Sequence, residues 1–322
     1  MTGQPHSLRL DTDPICNHPI RLHPASRRSH RVSEVIKVTM ANRPSTAHPA
    51  QPLLHKRILV CGKGGSGKST LVSLLAVALE RRGYPVVVLD GDTSNPEGLV
   101  RLLFGLGIQD EPKPLIEFFG GTHRVTCPVD DPSPLTRTTD RVPVPDQPIA
   151  LSQELGAEYT LTRGALRLLQ AGKIETYGQG CDGPIEKVVR DFLIQDPVVS
   201  LIDEKAGVEH FGRRIPDHID ILLGILDCSR ESVSIARRLA GFAQAMPLGT
   251  LWLILNKTES DAMTHQMKDL LGELSARIIG AVPAITGLTQ IALSGCPLDA
   301  HLASQSIEPI AARLEAIAAE AG

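Results

Sequence analysis

No apolar run in the sequence approaches the roughly 20 residues a helix needs to cross a bilayer, and the first residues carry none of the apolar core of a secretory leader. A membrane-spanning or exported protein is therefore not expected, and a cytoplasmic one is. Paired cysteines are also missing: the six, at positions 16, 61, 127, 181, 228 and 296, are scattered singly along 322 residues. That argues against a disulfide framework and for a reducing compartment. An excess of charge is lacking too. With 33 Lys and Arg against 36 Asp and Glu, a net charge of −3, the chain has no global attraction for phosphate backbones or anionic lipid. Neither nucleic acid nor a membrane is the expected partner.

Residues 1 to about 55 are rich in Pro, His, Ser and Arg and show no sustained apolar period, so this arm is expected to be disordered. A start at Met40 would remove most of it. Cys16, His18 and His23 within the arm are read as unrelated residues rather than a metal site. From residue 57 to the C-terminus, short β-branched runs alternate with amphipathic stretches. This is the pattern of an α/β domain, a mostly parallel sheet with helices on both faces. Strands are expected at Ile58–Cys61, Pro85–Asp90, Val198–Asp203, Ile219–Leu226, Thr250–Leu255 and Arg277–Val282, and helices at Ser69–Arg82, Glu231–Ala245, Asp261–Ser275 and from Glu308 onward. About a hundred residues separate the second and third of these strands, against roughly 2 to 6 for an ordinary connection. The long insertion, at about 108–197, is expected on the ligand-binding side of the sheet. Its first part, Gln109–Gln147, is Pro-rich, and Ala165–Ile174 and Pro184–Ile194 read as helical or partly ordered.

The strongest signal is Gly62-Lys63-Gly64-Gly65-Ser66-Gly67-Lys68-Ser69-Thr70, set between a strand and a helix. In that context it is a phosphate loop of a P-loop NTPase. Its glycines let backbone amides curl around phosphate oxygens, and the following helix presents its positive end to the same charge. Lys68 is expected to hold the β- and γ-phosphates of ATP, and Ser69 to give a hydroxyl to magnesium. Asp203, ending the apolar run Val198–Ile202, is placed as a Walker B aspartate should be, to orient a magnesium-bound water. Asp90 and Asp92 end the run Val86–Leu89 in the same way. Taken alone, each of these aspartates could equally be a turn or helix cap.

Lys63 has no task in an ordinary phosphate loop. The loop resembles the deviant Walker A of the MinD and nitrogenase iron protein superfamily, in which this lysine reaches the nucleotide of the facing subunit. The resemblance implies an ATP-dependent homodimer, with Lys63 and Lys68 as catalytic charge stabilisers. It also implies that Asp92 positions or deprotonates the attacking water, and that Asn256, in the pair Asn256-Lys257, reads adenine.

The segment Asp203-Glu204-Lys205-Ala206-Gly207-Val208-Glu209-His210-Phe211-Gly212-Arg213 narrows the family. It resembles the second switch of the CooC-type accessory ATPases of carbon monoxide dehydrogenase. Gly172-Lys173-Ile174-Glu175, Gly178-Gln179-Gly180-Cys181 and Asp227-Cys228-Ser229-Arg230-Glu231-Ser232 resemble that family as well. The resemblance implies a maturation or metal-insertion factor for a client metalloenzyme, with nickel or zinc held by a Cys-x-Cys pair from each subunit. This chain departs there, reading Cys181-Asp182-Gly183-Pro184, so one thiolate per chain remains. Cys181 is read either as a metal ligand or as a packed cysteine before the helix at Pro184. His210 is read as bonded within its loop, Cys61 as core and Cys127 as incidental. An iron-sulfur carrier or reductase component would need paired cysteines such as Cys-x-x-Cys, and the sequence has none; the remaining alternative is a MinD/ParA-like partition or positioning ATPase. The tail from Glu308 to Gly322 holds no lysine, which does not suit a basic membrane-binding helix.

Overall fold

Short runs of Val, Ile and Leu that are apolar at every position can be buried on two sides at once, and here they form one central sheet. The computed structural model describes residues 51–322 apart from 139–140, 214, 246–249, 286, 289–290, 292–293, 295, 299–300, 302–303 and 322. The arm to residue 50, with Met40, Cys16, His18 and His23, lies outside the described residues. The strands are β1 (Arg57–Gly62), β2 (Val86–Asp90), β3 (Leu161–Arg163), β4 (Leu166–Gln170), β5 (Val199–Asp203), β6 (Ile221–Asp227), β7 (Thr250–Thr258) and β8 (Ile278–Pro283). They lie in the order β3-β4-β2-β5-β1-β6-β7-β8. The β3–β4 pair is antiparallel and the other pairs are parallel.

Successive strand residues point to opposite faces, and two cores result. Ile58, Val60, Val86 and Val88 pack with Leu71 and Leu75 of α1 (Lys68–Arg81), Leu99 and Leu103 of α2 (Gly98–Phe104), and Ile310 and Leu314 of the C-terminal helix Ser304–Glu320. On the other face Leu59, Cys61, Val87 and Leu89 meet α3 (Leu115–Phe118), α4 (Leu151–Glu154), α5 (Gly183–Asp191), α6 (Arg230–Ala245) and α7 (Asp261–Leu271). The C-terminal helix is then α8. Residues 51–55 pack with this domain: Leu53 is fully buried and the His55 amide donates to the Val198 carbonyl at 2.8 Å.

The insertion departs from expectation in two ways. Ala165–Ile174, expected as helical, supplies β4, whose Leu166, Leu168 and Gln170 pair with Val86, Val88 and Asp90 of β2. A leucine-rich run of this length fits a helix or a doubly buried strand equally well by composition. The free edge of β2 decides in favour of the strand, sending Leu166 and Leu168 into one core and Leu169 into the other. The Pro-rich stretch also does more than border the ligand side, since Leu115, Phe119, Val125, Leu135 and Val144 are all buried beneath one sheet face.

Because the strands run parallel, their carboxyl ends share one edge, where ligands bind in open α/β sheets. Register sets Asp90 beside Asp203, Gly62 beside Ile225 and Asp227 beside Asn256.

If β4 belongs to the cooperative sheet, Leu168→Ala should lower unfolding free energy by about 2–5 kcal/mol in urea titration, while Ile108→Ala at an exposed site should change it by under about 0.5 kcal/mol. Equal, small effects would show that β4 is a peripheral attachment.

Candidate functional site

The phosphate loop leaves β1 at Gly62 and enters α1 through Gly67, whose φ of 93° is left-handed. A side chain at Gly67 would collide with the Asn256 amide. The end of β7 braces the loop from that side: Asn256 Nδ2 donates to the Ser66 carbonyl at 2.8 Å, and Lys257 Nζ to the Gly65 carbonyl at 2.7 Å. Across the loop, the Gly207 amide donates to the Gly62 carbonyl at 3.1 Å, which ties the segment after β5 to the loop. Lys68 is buried, and its ammonium lies 3.4 Å from the Lys63 carbonyl. It thus folds back over the cradle of amides.

Asp203 lies near Ser69, whose hydroxyl favours the charged carboxylate. Its Oδ1 is buried without a partner among the described residues. Burial, with Asp90 and Asp92 nearby, pushes Asp203 up to about 7. Asp90 is pushed up to about 6, again chiefly by burial. An orphaned carboxylate oxygen next to a serine hydroxyl, amid crowded acids, fits a divalent cation completed by phosphate and water. The Asp92 amide donates to Asp90 Oδ1 at 3.1 Å, and its own Oδ1 accepts from the Ser94 amide at 3.0 Å and the Ser94 hydroxyl at 2.6 Å.

Lys63 points away from its own cradle. Its ammonium pairs with Asp227 at 2.9 Å and with Glu231 at 3.5 Å, and the Asp227 contact holds it above the usual lysine range. Partial burial pushes Asp227 up, but hydrogen bonds from Ser229, Ser232 and Lys63 outweigh it and leave the carboxylate below its ordinary value. The structure therefore gathers Lys68, Ser69, Asp92, Asp203 and Asn256 around the loop and docks Lys63 to one side.

Cys181 is exposed, in the turn before α5. Among the described residues no group of three or more His, Cys, Asp or Glu side chains is arranged to hold a metal ion, so a single chain offers Cys181 no ready ligand set. A Cβ on Gly183 would stand 2.5 Å from Cys127 Sγ. The Cys127 thiol thus fills the space that a side chain at 183 would need, a role the sequence did not reveal. Cys61 is buried in the core as expected. His210 is buried, its ring centroid 4.7 Å from that of Phe211.

Lys173 carries no role that the sequence assigns. Its buried ammonium reaches Asp90 Oδ2 at 2.7 Å and the Asp92 carbonyl at 2.6 Å. The sequence signal is a lysine immediately beyond an apolar run, and it acquires meaning only because that run is a strand ending beside β2.

Buried acids with raised pKa values give stability a definite pH sign. Asp203 and Asp90 keep protons in the fold that the unfolded chain releases near pH 4, so between about pH 4 and 7 the folded state binds more protons and stability falls as pH rises. Each unit of upward shift costs about 1.4 kcal/mol once the pH exceeds the folded value. Without nucleotide, Asp203→Asn should therefore lose less stability than the wild type between pH 5 and 8 in paired urea titrations. Equal slopes would mean that Asp203 ionises normally.

Residues 58–298 match the model of the family described as the CobQ/CobB/MinD/ParA nucleotide binding domain. The chain is 30% identical over 252 residues to an uncharacterised ATP-binding protein of Methanocaldococcus jannaschii, covering 76% of this chain and 95% of that relative. It is 27% identical over 285 residues to the carbon monoxide dehydrogenase accessory protein CooC of Rhodospirillum rubrum, covering 81% of this chain and 97% of CooC. Among solved structures, the septum site-determining protein MinD of Pyrococcus horikoshii complexed with Mg-ADP shares the fold, with a TM-score of 0.56 at 15% identity over 83% of this chain and 98% of that one. The loop, its bracing strand and the aligned acids thus stand on a shared scaffold, and the chain belongs to the CobQ/CobB/MinD/ParA nucleotide-binding family as an ATP-hydrolysing member with similarity to CooC.

Proposed function

We propose that this ATPase closes into a homodimer over ATP and uses hydrolysis to act on a client metalloenzyme, as a maturation or metal-insertion factor. The observation that carries the reading is Lys63. It belongs to the phosphate loop yet is held on Asp227 and Glu231, outside its own cradle and available to a facing subunit's nucleotide once released.

In the closed dimer, Lys68 and the partner's Lys63 would offset charge developing on the γ-phosphate and the leaving oxygen. Ser69 and Asp203 would hold magnesium, which supplies charge neutralisation at the β- and γ-phosphates. Asp92 would swing from Ser94 to orient or deprotonate the attacking water, and Asn256 would meet the adenine while bracing the loop. The exposed Cys181 lies on a segment coupled to this machinery. Asp182 and Glu186 both pair with Lys205, two residues beyond Asp203, and Gln179 Nε2 donates to the Lys173 carbonyl at 3.0 Å. A change at either strand end would reach the Cys181 turn through these contacts. Two thiolates from a dimer, completed by Asp182 or water, would form a reduced ligand set for nickel or zinc.

The positioning-ATPase alternative has less support. Ile307, Ile310, Leu314 and Ile317 of α8 are buried in the core, so that helix has no free apolar face for a membrane. Among the described residues no helix is long and apolar enough to cross one.

Light scattering with a non-hydrolysable ATP analogue should show dimers for the wild type and monomers for Lys68→Ala. Lys63→Ala should bind nucleotide but hydrolyse it at least about tenfold more slowly. Wild-type dimerisation by Lys68→Ala would refute nucleotide-driven closure. Equilibrium dialysis should find one nickel or zinc per dimer with ATP, lost in Cys181→Ser. If no metal binds in either nucleotide state, the client role would have to be mechanical.

A further inference from the structure

The Asp90–Lys173 pair is buried on both sides, with side-chain exposures of 4% and 6%. Burying such a pair is weak evidence for stability, which directs attention to what else it holds. It grips the residue between its two arms. Asp90 Oδ1 accepts the Asp92 amide proton at 3.1 Å, and Lys173 Nζ donates to the Asp92 carbonyl at 2.6 Å. Both backbone polar groups of Asp92 are therefore occupied by the two members of one ion pair. The next residues repeat the tie, since the Ile174 amide donates to the Thr93 carbonyl at 3.1 Å. Upstream, the Ala171 amide donates to the Asp90 carbonyl at 2.9 Å. The segment 171–174 thus runs alongside 90–93 and fixes its path, so that the Asp92 side chain, hydrogen-bonded to Ser94, can be re-aimed without moving its backbone.

We infer that Lys173 is a positioning residue for ATP hydrolysis: it fixes the backbone at Asp92 so that the carboxylate can be aimed at the attacking water. The inference rests on the reading of Asp92 as the water-directing residue. A displacement of about 1 Å at such a group can cost about 100-fold in rate. Nucleotide binding, carried by the phosphate loop some distance along the edge, should be nearly indifferent to it.

The test uses the full chain and three variants: Lys173→Met, the neutral double variant Asp90→Asn/Lys173→Met, and Asp92→Asn. For each, turnover at saturating Mg-ATP, ATP affinity and the urea midpoint are measured. The double variant leaves no unpaired buried charge and keeps an oxygen acceptor for the Asp92 amide, so it removes chiefly the grip on the carbonyl. Lys173→Met should slow turnover about 10- to 100-fold with ATP affinity within about threefold of wild type. The double variant should recover stability while remaining slow. Should Lys173→Met fail to fold, the double variant decides alone. Turnover within about twofold of wild type in the double variant, with Asp92→Asn inactive, would overturn the role of Lys173 and leave that of Asp92 intact. Wild-type turnover by Asp92→Asn would instead overturn the reading on which the inference rests.

Discussion

Negative charge crowded at the carboxyl edge of a parallel sheet is the constraint from which the rest of the site follows. Register places Asp90 next to Asp203, and both are buried, at 3% and 1% exposure. Glu204 lies immediately behind, pushed well above its usual value by burial and by Glu186. Carboxylates in such surroundings either keep their protons or find cations. Lys173 meets part of the need from within the chain. In the proposed site the orphaned oxygen of Asp203 would leave the remainder to magnesium and nucleotide, so an edge costly by itself would become favourable when its ligand arrived.

The same economy of charge links the site to the exposed loop before α5. Lys205 follows Glu204 and offsets both Asp182 and Glu186, so the cation that relieves one acidic cluster also fastens the Cys181 turn. On the opposite flank, Lys173 joins the turn through Gln179. The two lysines stand beside β2 and β5, whose ends face the phosphates. The Cys181 loop therefore shares its anchoring contacts with the buried acids at those strand ends. Lys63 belongs to the same logic: in one chain its charge is satisfied by Asp227, and a competing phosphate across a dimer interface would have to displace that partner.

The nucleotide chemistry was legible in the sequence to an unusual degree. A glycine-rich loop between a strand and a helix has few other physical uses, and strands terminating in aspartate are visible as apolar runs with an acidic end. Six core strands and four long helices were recognisable because their apolar periods are long or doubly buried. Elsewhere the sequence is locally ambiguous. Leu166 to Gln170 suits a helix until the vacant edge of β2 is known, and the buried residues of the proline-rich stretch, Leu115 to Val144, recur without a period that would mark them as core.

By itself, then, the sequence determined the phosphate loop, the acids at the strand ends and the family, since each is a local pattern whose chemistry depends on neighbours along the chain. Tertiary structure alone decided that Lys173 grips the backbone of Asp92, that Asn256 braces the phosphate loop, that Lys63 rests on Asp227, and that Cys127 fills the space beside Gly183. All four join residues tens to nearly two hundred positions apart. Such contacts depend on strand order and register, which arise from packing the whole sheet and leave no trace in local periodicity.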